Sequence, residues 1–174
     1  MILASGSPRR RAILEQLGIA FEVVVPEVEE LTEGDPRELV LENARRKAAA
    51  VDGALVLAAD TVVCVDSVIL GKAGNEEEAR EHLARLSGRA HDVWSGIALD
   101  GRTAAVRTEV TFRDIGPLLD WYLQTGEWEG KAGGYAIQGR GAALVERIDG
   151  DYSNVVGLPI SALLKLLPEG LPRP

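Results

Sequence analysis

A chain of 174 residues with 46% hydrophobic and only 5% aromatic side chains has the aliphatic material for one packed core, because chains of this size bury about 70% of their unfolded surface. It is too apolar for disorder, and 19 basic against 27 acidic residues, a formal charge of −8, argue against broad nucleic-acid binding: a polyanion would need a local basic pocket or a bridging cation. Cys64 is the single cysteine, which excludes an internal disulfide and a thiolate metal cluster and fits a reducing compartment.

Met1-Ile2-Leu3-Ala4 turns polar at Ser5 with no basic leader and no long apolar stretch behind it, so neither secretion nor a membrane span is expected and a cytoplasmic location is the default. Ile2-Leu3-Ala4 reads as a short buried strand. Ser7-Pro8 then opens a helix, with Ser at the N-cap and Pro at the first helical position, and Gly18 stops it. Phe21 to Val25 is β-rich, Pro26 to Gly34 acidic and turn-like, and Asp35-Pro36 starts a second helix running to about Val51. Leu55 to Ala59 is an apolar strand that ends at Asp60, and Val62 to Leu70 alternates around Asp66-Ser67 as a hairpin. Glu76 to Leu86 is a charged amphipathic helix closed by Gly88, and the runs Val93 to Leu99 and Ala104 to Phe112 flank an Asp100-Gly101 turn. A short helix at Pro117 to Gln124, a strand at Ala143 to Ile148 and a helix entered through Pro159 complete the pattern. With no repeat or linker, the expectation is one α/β unit over residues 1–174, with a central mixed β-sheet flanked by helices.

A strand running into Ser5-Gly6-Ser7 and a Pro-started helix presents free amides, hydroxyls and the positive helix end at one spot, with Arg9 and Arg10 in the first turn. That is an anion site or an ordinary capped helix with a solvated arginine run; three arginines opposing the macrodipole favour a bound anion. Asp60-Thr61 at a strand's carboxyl end stands where open α/β sheets place reactive groups, as metal ligand, general base or turn cap. Lys47 and Lys72 could reach a phosphate or be solvated. Glu27, Glu29 and Glu30 suit a hard cation or form a solvated acidic loop. Gly130 to Tyr135 fails as a Walker A loop, because Ala132 replaces the Ser/Thr, and Gly139-Arg140-Gly141 fails the dinucleotide fingerprint. His82 and His91 read as surface residues, and Trp94, Trp121 and Trp128 as core or lid packing rather than a base-stacking platform.

In joint occurrence, Leu3-Ala4-Ser5-Gly6-Ser7-Pro8-Arg9-Arg10, Glu29-Glu30, Lys47, Ala59-Asp60-Thr61, Gly71-Lys72, Leu86-Ser87-Gly88 and Lys131-Ala132-Gly133-Gly134-Tyr135-Ala136-Ile137-Gln138-Gly139 form one ordered set. The chain thereby resembles the Maf family of nucleotide pyrophosphatases, from Ile2 to about Ser161. The resemblance implies a Maf/ITPase-like fold with a substrate cleft between two lobes. It implies metal-dependent hydrolysis, with Mg or Mn, of a nucleoside triphosphate to the monophosphate and pyrophosphate. Asp60 would be the base, Glu30 and Asp60 would hold the metal, and Ser7, Arg9, Arg10, Lys47 and Lys72 would neutralise the phosphates. Gln138 and Thr61 are similar to the branch acting on dTTP and UTP, where the branch acting on methylated guanine nucleotides tends to carry an acid in place of the glutamine. Modified pyrimidine nucleotides are a further expected substrate, a homodimer is common in such proteins, and the family's septum-inhibition association offers a nucleotide-binding division regulator as the alternative. Ala73 and Gly134 depart from the usual proline and alanine of the family.

Overall fold

A computed structural model describes residues 1–168. Short apolar runs separated by capped amphipathic segments become β1 (Ile2–Ala4), α1 (Pro8–Gln16), β2 (Glu22–Val24), α2 (Pro36–Ala49) and β3 (Val56–Val65). The remainder forms β4 (Val68–Leu70), α3 (Glu76–Leu86), β5 (Ala90–Leu99), β6 (Arg102–Phe112), α4 (Leu119–Leu123), β7 (Val145–Asp149), α5 (Tyr152–Val156) and α6 (Ile160–Leu166). Side-chain caps start three helices: Asp35 accepts from the Glu38 amide, Asn75 from the Glu78 amide, and Asp151 from the Ser153 and Asn154 amides, each satisfying donors that have no partner within the helix. Asp66 and Ser67, at φ 50° and 62°, turn the β3–β4 hairpin, and Asp100-Gly101, at 49° and 73°, turns β5 into β6, the left-handed pairs that two-residue hairpins require.

All seven strands belong to one mixed sheet in the order β2-β1-β3-β5-β6-β7, with β4 also paired to β3. Strands β2, β1 and β3 are parallel and the other pairings antiparallel. The α/β expectation with a mixed central sheet and flanking helices therefore holds. Helix α2 covers one face, over Ala4, Val56 and Ala58 near β1 and over Val62 farther along β3. The other face carries the main core, in which Leu3, Leu57, Val63 and Ile97 pack with residues of α1, α3, α5 and α6.

Several details differ from the sequence pattern. Asp60 is inside β3, not at a strand's end: the strand continues to Val65 and pairs with β5 from Leu57 to Cys64. A carboxylate interrupts the apolar run, yet the strand need not stop there, because the charge has a lysine partner. The expected helix at Pro117 to Gln124 is a 3₁₀ turn, Gly116–Leu118, followed by α4, and the expected strand at Ala143 is preceded by a 3₁₀ turn through Leu144. Helix α5 is additional; at five residues it is too short to show a helical period. His91 is buried at 3% exposure, against a surface expectation, because its Nε2 meets the Tyr135 hydroxyl at 2.9 Å and its ring packs edge-on to Phe112. His82 is half-buried, as are Trp94 and Trp128, whereas Trp121 lies exposed at 43% and is not core.

The seating of α2 depends on Gly96. A Cβ there would stand 2.3 Å from the Val40 carbonyl oxygen and 2.8 Å from the Leu41 nitrogen, both on α2, so only glycine lets the helix backbone approach β5 this closely. Gly96→Ala should destabilise the protein by about 1–3 kcal/mol, the usual cost of overpacking, as a lowered urea midpoint; an unchanged midpoint would show that α2 can shift freely.

Candidate active site

Strands β1 and β4 pair with the same edge of β3, β1 along residues 56–58 and β4 along 63–65. Between them residues 59–62 have no strand on that edge, and there the chain of β1 turns away into α1. A cavity of about 370 Å³ opens at this place. It is the sheet crevice beyond a strand's carboxyl end in which α/β proteins bind ligands. Opposite, the segments around Lys72 and Ala132 are bridged to each other and supply the facing wall.

Successive residues of a strand point to opposite faces, so Asp60 and Thr61 serve two sides of the cleft. Asp60 points toward α2. Its Oδ1 lies 2.7 Å from Lys47 Nζ and its Oδ2 accepts from Asn43 Nδ2 at 2.9 Å. Asn43 and Lys47 are one helical turn apart and therefore share a face of α2. Gly96 is the cross-strand partner of Asp60, so the close approach of α2 falls where the carboxylate needs it. Lys47 Nζ also meets Glu30 Oε1 at 3.0 Å. Asn43 clamps the acidic loop, accepting from the Leu31 amide at 2.7 Å and donating to the Leu31 carbonyl at 3.0 Å. Burial opposes ionisation of Asp60, but Lys47, Asn43 and Arg10 outweigh it and hold the carboxyl below its usual range; it is a carboxylate at neutral pH.

Thr61 points the other way, toward α1 and α5. Arg10 is buried and donates from Nε to the Gly157 carbonyl at 2.8 Å, from Nη1 to Ser5 Oγ at 2.9 Å and from Nη2 to Thr61 Oγ1 at 3.2 Å. Burial lowers its pKa to about 10, which still leaves it charged. Three of its five N–H groups are thus fixed within the protein. Thr61 Oγ1 is 2.8 Å from Ser95 Oγ, which donates to the Asn154 carbonyl at 3.1 Å, and Asn154 Nδ2 donates to Val93 and Thr108. This buried chain ties the cleft wall to the core, and its low-dielectric setting makes each satisfied bond count. Arg9 makes one long contact, Nε to the Val156 carbonyl at 3.4 Å, so the rest of its guanidinium is available. Ser7 occupies the N-cap of α1 without a side-chain cap bond; the expected Ser cap is not made, and the first amides of α1 stay open to the cleft.

Ser7, Arg9, Arg10, Glu30, Lys47, Asp60, Thr61, Lys72 and Gln138 all line this one cavity. Arg11, Glu27 and Glu29 are exposed outside it. Lys131 lines it as well, so five cations and two carboxylates face the space in a chain of charge −8. This is the local basic pocket that an acidic protein needs for a polyanion. Burial lowers the pKa of Lys131 and of Arg9. Sequence reasoning did not assign Asn43, Ser95, Lys131 or Asn154 to the site. Asn43 could have been found four residues before Lys47, on the side of α2 that carries Leu39, Val40 and Ala44; Ser95 and Asn154 carry no local signal, since their partners come from strand register and a distant turn.

The donor set suits a hard cation of the magnesium kind. Among the described residues no three His, Cys, Asp or Glu side chains converge, but Glu30 and Asp60 converge on one point, now held by the Lys47 ammonium. One or two carboxylates are what magnesium uses when substrate phosphates complete its shell. Among the described residues, no helix is long and apolar enough to cross a membrane.

A dTTP/UTP pyrophosphatase of Symbiobacterium thermophilum is 49% identical, aligned over 96% of this chain and 92% of its own length. Proteins of the same name from Myxococcus xanthus and Bacillus cereus are each 47% identical, covering 100% and 96% of this chain and 94% and 88% of their own. The family model described as Maf-like protein matches residues 1–170. With that match and these relatives, the chain belongs to the Maf-like family.

Proposed function

We propose that this chain, acting as one unit over residues 1–174, hydrolyses dTTP and UTP, and modified pyrimidine triphosphates with the same base edge, to the monophosphate and pyrophosphate. The observation that carries the reading is the buried Asp60 carboxylate that lines a cavity with five cations. The names of the relatives, dTTP/UTP pyrophosphatases at 47% and 49% identity, supply the substrate class.

Charge neutralisation comes first. Arg9, Lys72 and the open amides of α1 bind the phosphate chain, Ser7 offers a hydroxyl, and the two spare N–H groups of Arg10 add to the same wall. Asp60, ionised at neutral pH, accepts a proton from water as the water oxygen bonds to phosphorus. The bond on the bridge between the α and β phosphates breaks, and its electron pair leaves on the pyrophosphate oxygen. Lys47 holds Asp60 and Glu30 together and neutralises part of their repulsion toward the incoming anion. A Mg or Mn ion held by Glu30 and Asp60 would supply polarisation of phosphoryl oxygens and share their charge. Gln138, whose amide offers both a donor group and an acceptor, faces the base, and the pyrimidine N3–H and O4 edge matches both.

Asp60→Asn keeps the shape of the side chain while removing the proton acceptor, so pyrophosphate release from dTTP should fall about 10²- to 10⁴-fold. A rate equal to wild type would sink the assignment of the base.

The same group sets a pH dependence. Its native pKa is depressed, so its contribution to stability is complete above the unfolded carboxylate pKa of about 4 and is lost as pH falls through the lower native value. The unfolding free energy of wild type relative to Asp60→Asn should be constant from roughly pH 5 to 8 and decline below about pH 4. A decline centred near neutrality in urea titrations would mean that another group is responsible.

A further inference from the structure

Gln138 stands on a segment pinned on both sides. Before it, Tyr135 Oη and His91 Nε2 lie 2.9 Å apart in the core, and the Ala136 amide donates to Tyr122 Oη at 3.0 Å. After it, the Glu127 carboxylate closes the segment. Its Oε2 accepts from the Arg140 amide at 3.0 Å and the Gly141 amide at 3.2 Å, and its Oε1 accepts from the Arg140 amide at 3.2 Å. These are first amides of the 3₁₀ turn that follows Gln138, otherwise without a cap. A carboxylate is the strongest neutral-pH acceptor for such donors.

The backbone is shaped to admit it. Gly139 has φ +74°, and a Cβ there would stand 2.9 Å from Glu127 Oε1; the absent side chain lets the carboxylate reach the amides. Gly141 is equally confined, since a Cβ would stand 2.0 Å from the Ala136 carbonyl oxygen, so residues 136–141 fold back on themselves. Glu127 is itself held, its amide donating to Thr125 Oγ1 at 3.0 Å. It does not line the cavity, so any effect it has on a ligand passes through Gln138.

We propose that Glu127 is a positioning residue for nucleobase recognition, its carboxylate fixing the place of Gln138 by capping the Arg140 and Gly141 amides. The inference rests on the reading of Gln138 as the base-facing group. A glutamine amide can turn over and offer its donor and acceptor in the opposite order, which would match cytosine as readily as thymine. Discrimination between the two therefore depends on where the backbone at residue 138, fixed by the bonds on either side of it, places the amide in the cavity.

The test is the ratio of kcat/KM for dTTP to that for dCTP, measured with Mg²⁺ on the full chain for wild type, Glu127→Ala, Glu127→Gln, Glu129→Ala, Gln138→Ala and the Glu127→Ala/Gln138→Ala double variant. Glu127→Ala should lower the ratio about tenfold, one hydrogen bond's worth, mainly through a raised KM for dTTP with kcat little changed. Glu127→Gln, which keeps one acceptor, should fall between, and Glu129→Ala, which removes a neighbouring charge, should keep the wild-type ratio. In the Gln138→Ala background Glu127→Ala should lower the ratio no further. Thermal melting of each variant separates misfolding from misplacement, and Glu127→Gln carries the test if Glu127→Ala does not fold. A ratio retained in Glu127→Ala and lost in Gln138→Ala, or losses that simply add, would overturn the role of Glu127. No preference for dTTP in wild type, or a preference intact in Gln138→Ala, would overturn the reading of Gln138 itself and the inference with it.

Discussion

The contact between Asp60 and the Lys47–Asn43 face of α2 is the constraint on which the rest of the site depends. A carboxylate at 5% exposure in the middle of a strand would be prohibitively costly without partners, because an unpaired buried charge loses its hydration for nothing in return. Lys47 supplies the opposite charge and Asn43 a neutral donor, one for each carboxylate oxygen. Neither could reach without Gly96, the cross-strand neighbour of Asp60, where the backbone of α2 lies against β5. Packing and chemistry are set by the same close approach.

From that contact the cleft is assembled outward. Lys47 also takes Glu30, and Asn43 takes both polar groups of Leu31, so an acidic loop with no strand or helix of its own is fastened to α2. On the other face of the sheet, Arg10, Thr61, Ser95 and Asn154 form a second buried polar group. The two groups differ in purpose. The first holds opposite charges in direct contact, while the second fixes three of the five Arg10 N–H groups and ties Thr61 through Ser95 to Asn154.

The charge distribution follows the same division of labour. The acidic excess, spread over exposed positions, keeps the surface from binding polyanions at large, and the cations in the cavity create a local field of opposite sign. The wall facing β3 is made of turns rather than regular elements, and the backbone on either side of Gln138 is fixed by hydrogen bonds to Tyr122 and Glu127.

The order and type of nearly every element are legible in the chain, because strand and helix periods, the Asp35 and Asn75 caps and the two hairpin turns are local properties. The sequence also held the ordered set of residues that marks the family and, through it, the nine side chains that line one cavity. It missed α5, which is too short to have a period, and it placed Asp60 at a strand's end and His91 on the surface, because polar residues inside apolar segments look like boundaries. Only the tertiary structure supplied Lys47 for the aspartate and Tyr135 for the histidine, partners 13 and 44 residues away. Asn43, Ser95, Asn154 and Glu127 were invisible for the same reason: their significance lies in strand register, in the seating of one helix against a glycine and in a turn closed by a distant carboxylate, none of which is written in any local run of residues.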